Sequence, residues 1–198
     1  MTIQITELSK AYGGMTVFKN VNLRLEEGGV YCLTAPSGAG KTTLLRILMG
    51  LERQDTGRIA GIEGRRIAAV FQEDRLCPEL DASENIRLIR PVCAGEELMR
   101  ELSLLLPREE WSKPVSEYSG GMRRRVSLLR AMLSTGEILL FDEPFNGLDM
   151  QKRQEAIEYV KKRRNGRLLL FTTHHMEEAK ALSAHLICWD QEEQTWRQ

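Results

Sequence analysis

The sequence has no long apolar run and no excess of charge of either sign. No apolar stretch approaches the roughly 20 residues that a membrane-spanning helix needs. Lysine and arginine together number 28, as do aspartate and glutamate, so the formal net charge is zero. This balance gives no overall electrostatic attraction to nucleic acid. The sequence therefore predicts no membrane-spanning segment, so any role at a membrane passes through a partner. The overall charge gives no case for nucleic-acid binding but leaves a local basic patch open.

Cysteine is scarce and carries no metal-binding pattern. Cys32, Cys77, Cys93 and Cys188 form no C-x-x-C pair and no other spacing typical of a metal site. Two of them lie in apolar runs, where a reduced, buried thiol is expected. The first residues alternate like a strand and lack the apolar segment of a secretory signal. These features predict a reducing, cytoplasmic setting.

The 198 residues, 42% hydrophobic and 28% charged, are typical of one globular domain. Strand patterns cover residues 2–8, 17–25, 30–34, 57–60, 67–71, 138–142, 167–173 and 186–190, and helical patterns cover 82–90, 95–106, 151–164 and 176–183. Continuously apolar strands that alternate with helices indicate a parallel sheet covered on both faces. Residues 76–134 contain no strand pattern, which predicts a helical subdomain.

A phosphate-binding loop is predicted at residues 35–42, which read A-P-S-G-A-G-K-T. They follow the G-x-x-x-x-G-K-[ST] pattern, with Ala35 in place of the first glycine. An apolar strand precedes the loop and a helix follows it, as the motif requires, because backbone N–H groups at a helix start bind phosphate. Lys41 is predicted to reach the β- and γ-phosphates, and the Thr42 hydroxyl to bind Mg²⁺. The alternative is an ordinary glycine-rich turn, which this context disfavours.

Two acids follow the apolar strand at 138–141. In open α/β sheets ligands bind at the carboxyl ends of the strands, where these acids lie. Asp142 suits a role on Mg²⁺ beside Thr42, and Glu143 can orient or deprotonate an attacking water. The alternative is a strand that ends in a solvated acidic turn.

A second anion site is predicted at the start of the helical run 123–133. Ser119, Gly120, Gly121 and Met122 precede it and offer a hydroxyl, unobstructed N–H groups and the positive end of a helix. The alternative is a serine that only caps the helix. The three arginines at 123–125 fan over different helix faces, which predicts a solvated helix start and not a nucleic-acid-binding stripe.

Together these residues resemble the ATP-binding-cassette (ABC) ATPase family over nearly the whole chain. Residues 35–42 match its Walker A motif, 138–143 its Walker B motif and 118–122 its signature sequence, usually L-S-G-G-Q. The remaining matches are Tyr12 at the adenine-stacking aromatic, Gln72 at the Q-loop, Asp149 at the end of the D-loop and His174 at the switch histidine.

The resemblance implies an α/β P-loop NTPase of ABC type. A RecA-like parallel-sheet core and an N-terminal antiparallel β-subdomain would occupy residues 1–75 and 135–198, with the helical subdomain at 76–134. ATP and Mg²⁺ are the implied ligands, with Gln72 on the metal or the attacking water and His174 on the γ-phosphate. The implied nucleotide-binding residues are Tyr12, Pro36, Ser37, Gly38, Ala39, Gly40, Lys41, Thr42 and Thr43.

The resemblance also implies partners. Two copies would meet head to tail, with each ATP held between Lys41 of one copy and residues 119–122 of the other. Residues 71–78 look most like those of nitrate, sulfonate and taurine importers. The implied protein powers an importer from the cytoplasmic face of the cell membrane. It would bind a separate transmembrane permease and act indirectly on a substrate-binding protein.

Two other functions stay open. One is a soluble ABC ATPase that acts on nucleic acid or ribosomes, although such proteins usually carry two cassettes or a long insertion. The other is a weakly hydrolysing regulatory cassette, which the presence of Lys41, Glu143 and His174 disfavours. The chain departs from the family pattern at Ala35, at Met122 in place of glutamine and at His175 in place of aspartate. Ala35 is expected to cost on the order of 1 kcal/mol only if its φ is positive.

Overall fold

A computed structural model describes residues 2–92 and 95–198. The strands are β1 (Thr2–Tyr12), β2 (Met15–Glu26), β3 (Val30–Thr34), β4 (Thr56–Ala60), β5 (Ile67–Val70), β6 (Ile138–Phe141), β7 (Leu168–Thr172), β8 (His185–Asp190) and β9 (Thr195–Arg197). The helices are α1 (Lys41–Leu48), α2 (Ala82–Arg87), α3 (Gly95–Leu105), α4 (Gly120–Leu133), α5 (Met150–Arg163) and α6 (Met176–Ala181). Cys93, one of the four cysteines of the chain, lies outside the described residues.

The larger sheet has the strand order β5-β6-β7-β3-β8-β9. Its first five strands are parallel, and β9 pairs antiparallel with β8. Every residue of β6 and β7 is buried. Because parallel strands buried on both faces have no polar face, they appear in the sequence as continuous apolar runs. The predicted parallel core is confirmed.

Alternate residues of each central strand pack into different cores. Leu139 and Phe141 of β6 join the core formed with α2 to α6, whereas Ile138 and Leu140 join the core formed with α1 and the smaller sheet. This division follows from the two-residue repeat of a β-strand. The sheet is therefore covered on both sides.

The smaller sheet is antiparallel, with the order β2-β1-β4. Ile3, Ile5 and Leu8 of β1 are buried and alternate with more exposed neighbours, so one face packs on the core. The predicted strands at 2–8 and 17–25 are confirmed, but β1 and β2 are longer and pair as far as Tyr12↔Met15. The turn between them lies at Gly13 and Gly14, both with positive φ.

The structure differs from the sequence prediction at two places. The helix predicted at 82–90 ends at Arg87, and a turn follows. Strand β9 was not predicted, since three residues are too few to show a periodicity. It forms by pairing with β8, where the rings of Trp189 and Trp196 meet edge to face at 5.1 Å. Within residues 2–92 and 95–198, no helix is long and apolar enough to cross a membrane.

A buried asparagine organises the loop before α2. Asn85 is fully buried, and its Oδ1 accepts the Cys77 N–H at 2.8 Å. Its Nδ2 lies within 3.2 Å of the carbonyl oxygens of Cys77, Leu80 and Asp81. The Asp81 side chain caps α2 through the Glu84 N–H. The amide side chain thus pairs with the Cys77 N–H and adds a second donor to three carbonyls that also accept backbone N–H groups.

We expect Asn85→Leu to lower the free energy of unfolding by about 1–3 kcal/mol, because the Cys77 N–H loses its partner and three carbonyls lose their second donor. Denaturant unfolding followed by circular dichroism measures this. Arg87→Ala, on the exposed side of the same helix, is the control and should change stability by less than about 0.5 kcal/mol. Equal unfolding midpoints for Asn85→Leu and the unmodified chain would contradict this account.

Candidate functional site

The phosphate loop connects the carboxyl end of β3 to the start of α1. Gly38 and Gly40 have φ values of 85° and 82°, which glycine adopts without strain. A Cβ at Gly40 would lie 2.5 Å from Val17 Cγ1, so this position also lacks room for a side chain. Helix α1 has no side-chain cap and no acid in its first turn. Its positive end is therefore left open to an anion.

Ala35 causes no backbone strain. It is absent from the non-glycine residues with positive φ and is partly buried against the apolar core. The methyl group that replaces the expected glycine therefore carries almost none of the cost considered above. Ala39 is buried, whereas Pro36, Ser37 and Gly38 are exposed on the outer side of the loop. The open side of the loop is the side where a phosphate can enter.

The Lys41 ammonium lies inside the loop. Its Nζ donates to the carbonyls of Ala35 at 2.8 Å and Pro36 at 3.1 Å. Burial lowers the pKa of Lys41, while the carboxylates of Glu143 and Asp142 oppose this shift by favouring the charged form. The side chain is thus a nearly buried point charge at the position where the sequence predicts phosphate contacts.

Asp142 follows β6 and is held by two hydroxyl groups. Thr42 Oγ1 donates to one carboxylate oxygen at 2.6 Å, and Thr172 Oγ1 donates to the other at 2.7 Å. The predicted pairing of Thr42 with Asp142 is therefore present in the structure. Thr172 was not predicted as a site residue, since a threonine at a strand end carries no motif.

Glu143 adopts a left-handed backbone conformation with φ of 48°. Its N–H donates to Thr172 Oγ1 at 2.9 Å. Its carboxylate lies 3.0 Å from His174 Nε2 and accepts from Asn146 Nδ2 at 3.0 Å. The structure brings the predicted general base and the predicted switch histidine into contact. Asn146 is a further contact of Glu143. The sequence did not predict this contact, because a single amide side chain in a loop does not indicate what it binds.

A cavity of about 180 Å³ lies between α1 and the loop after β5. Its walls include all three predicted metal ligands, Thr42, Gln72 and Asp142. Hydroxyl, amide and carboxylate oxygens are the donors that Mg²⁺ prefers, and Mg²⁺ sites in phosphate-binding proteins use few protein ligands. The donor set therefore fits Mg²⁺, with room for phosphate oxygens and water.

The prediction that the arginines at 123–125 form a solvated helix start was wrong. Arg124 and Arg125 are each only 7% exposed. Arg124 donates to the carbonyls of Phe71 at 2.6 Å and Gln72 at 2.5 Å, and its Nε lies 3.4 Å from the Asp74 carboxylate. Arg125 donates to the Leu105 carbonyl. The three arginines do lie on different faces of α4, but packed backbone covers the two faces that carry Arg124 and Arg125.

Two more residues of α4 bind the same loop. Ser127 Oγ donates to the Asp74 carbonyl at 2.8 Å, and Arg130 donates to the carbonyls of Arg75 at 2.7 Å and Asp74 at 3.1 Å. We call Arg124, Ser127 and Arg130 the loop clamp. Through the clamp, the helix that begins at the signature serine holds the backbone on both sides of Gln72.

The signature residues lie apart from the phosphate loop. Ser119 caps α4 by accepting the Met122 N–H at 3.3 Å, and Ser119 and Gly120 are exposed. Gly121 packs beside Gly147, whose carbonyl oxygen would lie 3.3 Å from an added Cβ. Among the described residues, the hydrogen bonds of Lys41, Asp142 and Glu143 include none to residues 119–122.

Asp149 and Tyr12, two other predicted site residues, also lie outside the cluster of Lys41, Asp142 and Glu143. Asp149 caps α5 by accepting the Lys152 N–H at 2.9 Å. Tyr12 is half exposed at the end of β1, with Lys10 Nζ 4.8 Å from the centre of its ring. Thr43 lies in the first turn of α1, partly buried. Their roles toward a nucleotide stay predictions.

Buried polar contacts connect the D-loop to the switch segment. Glu178 of α6 is 3% exposed and accepts from Thr173 Oγ1 at 2.5 Å. Its carboxylate lies 3.5 Å from Arg153 Nε, and Arg153 Nη2 donates to the Leu148 carbonyl at 3.2 Å. Burial raises the pKa of Glu178.

His175 is exposed, and its N–H donates to Thr173 Oγ1 at 2.9 Å. The segment that carries His174 is therefore anchored below the surface.

Comparison with known proteins matches residues 18–146 to the ABC transporter family. The chain belongs to this family. The sulfate/thiosulfate import ATP-binding protein CysA of Vibrio vulnificus is 34% identical over 208 residues, which cover 94% of this chain and 60% of CysA. The Nod factor export ATP-binding protein I of Cupriavidus metallidurans is 33% identical, over 95% of this chain and 68% of that protein. Family membership supports ATP binding by this chain.

Solved structures of ABC cassettes share the fold. The dimer of the cassette MJ0796 in a post-hydrolysis state with ADP and Pi has a TM-score of 0.85 at 25% identity, covering 99% of this chain and 97% of that chain. The predicted ABC ATPase fold is confirmed. The chain spans 60% of the length of CysA.

We expect Arg124→Leu to destabilise the protein by about 1–3 kcal/mol, because two carbonyls and a carboxylate lose their charged donor. The N–H groups around Gln72 should also exchange with deuterium faster, as measured by hydrogen exchange and mass spectrometry. Arg123→Leu is the comparison, since its side chain is 40% exposed and its ion pair with Asp74 is longer, at 3.7 Å. Equal effects of the two substitutions would show that the loop clamp does not hold the Q-loop.

Proposed function

We propose that the chain is the ATP-hydrolysing subunit of a multi-subunit ABC transporter and that ATP closes a head-to-tail dimer of it. The observation that carries the proposal is the contact of Glu143 with His174 beside the joined pair Thr42 and Asp142. This contact supports the proposal because the residues proposed as general base, its partner and metal ligand lie together beside one phosphate loop. ATP is the substrate, and ADP and phosphate are the products.

Binding begins with the charge of Lys41. The Lys41 ammonium donates to two carbonyls of the loop in this structure. The oxygens of a triphosphate that enters the loop carry more negative charge than these carbonyls and would bind the same ammonium more strongly. The open N–H groups at the start of α1 bind the phosphates from the other side. Ring stacking on Tyr12 would add contact with the adenine. The loop thus provides both fixed dipoles and one point charge.

Hydrolysis is assigned to Glu143 and His174. The Glu143 carboxylate is partly buried and is held by His174 and Asn146, so its orientation is set before a water arrives. It can accept a proton from that water as the water attacks the γ-phosphate. Mg²⁺ held by Thr42, Asp142 and Gln72 would neutralise charge that develops on the phosphate oxygens. His174 keeps the carboxylate directed at the γ-phosphate.

A second copy of the chain would complete the site. Ser119 and Gly120 are exposed and are not joined to the phosphate loop of their own chain. They offer a hydroxyl and N–H groups to an anion that another copy carries. The MJ0796 cassette is dimeric in its solved structures, which supports the same arrangement here. ATP then favours the closed dimer by binding both surfaces, and loss of the γ-phosphate contacts releases it.

The transporter partner would dock on the helical subdomain, which we place at residues 76–134. Leu88, Ile89 and Val92 are exposed near the end of α2, and Val92 is 92% exposed. Exposed apolar side chains close together mark interaction surfaces. We place the permease there, next to the Q-loop, with the substrate-binding protein acting through the permease and the chain at the cytoplasmic face of the membrane.

The direction of transport is import in this proposal. The importer-like residues 71–78 and the similarity to a sulfate/thiosulfate import protein support import. An export protein matches at 33%, so identity alone does not decide. The closer resemblance to nitrate, sulfonate and taurine importers stays a prediction. Action on nucleic acid lacks support, because Arg124 and Arg125 are buried and bound to backbone carbonyls.

We expect Glu143→Gln to bind ATP without hydrolysing it and so to accumulate as a dimer. Size-exclusion chromatography with light scattering, with and without Mg²⁺ and ATP, measures this. Turnover should fall by about 100-fold or more, the scale expected when a general base is removed. Lys41→Ala is the matched control, since it removes the phosphate contact and should leave the chain monomeric with ATP. A Glu143→Gln chain that binds ATP but stays monomeric would contradict the dimer model.

We expect the chain to co-purify from membranes with a transmembrane subunit encoded beside it. Ile89→Asp should reduce the recovered complex by about tenfold, because a charge placed in an apolar contact costs about 1.4 kcal/mol or more. Met15→Asp, at an exposed apolar position on the antiparallel sheet, is the control and should leave recovery unchanged. Recovery that is independent of Ile89 would exclude this docking surface.

A further inference from the structure

Thr172 joins the two acidic residues of the site although the sequence predicts it only as part of the strand before His174. It is the last residue of β7 and is fully buried. Its hydroxyl donates to Asp142 Oδ1 at 2.7 Å and accepts from the Glu143 N–H at 2.9 Å. A hydroxyl has one proton to donate and lone pairs to accept with, so both functions are used here. One side chain therefore contacts the backbone of one acid and the carboxylate of the other.

The contact with Asp142 fixes the orientation of its carboxylate. Thr42 binds one oxygen and Thr172 binds the other, so rotation about the side-chain bond would break a hydrogen bond to a nearly buried charge. Asp142 is 5% exposed, which leaves little water to replace a lost partner. Thr42 and Asp142 both line the cavity fitted for Mg²⁺. Thr172 thus holds the Asp142 carboxylate through the oxygen that Thr42 does not bind.

The contact with Glu143 supports an unfavourable backbone. A non-glycine residue with φ of 48° persists only where its surroundings hold it. Thr172 Oγ1 accepts a hydrogen bond from the backbone N–H of Glu143. The backbone conformation of Glu143 sets the direction of its carboxylate. That carboxylate reaches His174, which lies two residues after Thr172 in the same chain segment. Thr172 therefore connects the backbone of Glu143 to the chain segment that carries His174.

We propose that Thr172 is a positioning residue for ATP hydrolysis, which acts by holding Asp142 and the left-handed backbone of Glu143 in their working orientations. The proposal rests on the proposed ATPase function. Valine has the same shape but neither donates nor accepts, so Thr172→Val removes both hydrogen bonds and keeps the packing. Serine keeps the hydroxyl, so Thr172→Ser retains both.

The experiment compares steady-state ATP hydrolysis by the full chain and its variants over a range of Mg²⁺ concentrations. Thr172→Val should lower kcat by about tenfold or more while KM for ATP changes by less than about twofold, because binding by the phosphate loop is untouched. The Mg²⁺ concentration for half-maximal activity should rise, since Asp142 becomes free to rotate. Thr172→Ser should restore kcat to within about threefold of the unmodified chain.

Thr195→Val is the matched control. Its hydroxyl is buried at β9 and has no hydrogen-bond partner in the described part of the chain, so its removal should change neither kcat nor KM. If Thr172→Val does not fold, Thr172→Ala replaces it, with thermal unfolding to confirm folding, and the same criteria apply. If neither folds, the hydroxyl is structural and the proposal is overturned.

The outcomes separate this proposal from the function on which it rests. An unmodified chain without ATP hydrolysis refutes the proposed function. A hydrolysing chain whose Thr172→Val variant retains full kcat refutes the positioning role alone. So does a variant in which kcat and KM change together and serine does not restore them. A selective loss of kcat that serine restores supports it.

Discussion

The hydrogen bond between Thr42 and Asp142 joins residues 100 positions apart, and the site depends on it. It can form only because β3, β7 and β6 run parallel as neighbours, so that their carboxyl ends meet at one edge. The phosphate loop leaves one of these strands and the two acids leave another. The distance between Asp142 and the phosphate loop is therefore set by the pairing of parallel strands.

The same edge explains why the site is electrostatically balanced. Lys41 is nearly buried, and a buried ammonium needs nearby acceptors and negative charge. The loop carbonyls and the carboxylates of Asp142 and Glu143 supply both. A triphosphate and Mg²⁺ would exchange these contacts for others of the same kind. The site is thus arranged for ligands of opposite charge before either binds, which reduces the reorganisation that binding requires.

Motifs with their own local signal could be predicted from the sequence. The phosphate loop and the acids after β6 each follow a continuous apolar strand, and in the structure each lies where that pattern places it. Thr172 escaped prediction because a polar residue that ends an apolar strand looks like the strand's natural limit. Its function depends on the neighbouring strand, which the local sequence does not show. Arg124 was misread for a related reason, since helix periodicity says which face a side chain is on but not what covers that face.

The loop clamp has a mechanical consequence. Arg124, Ser127 and Arg130 bind the carbonyls on both sides of Gln72, and the helix that carries them begins at Ser119. Helix α4 would therefore move together with the Q-loop, since sliding of one past the other would break several hydrogen bonds at once. Load applied beside Gln72 would be transmitted through α4 to the exposed Ser119 at its N-terminus. In the proposed transporter, α4 would then link permease docking to the approach of a second copy.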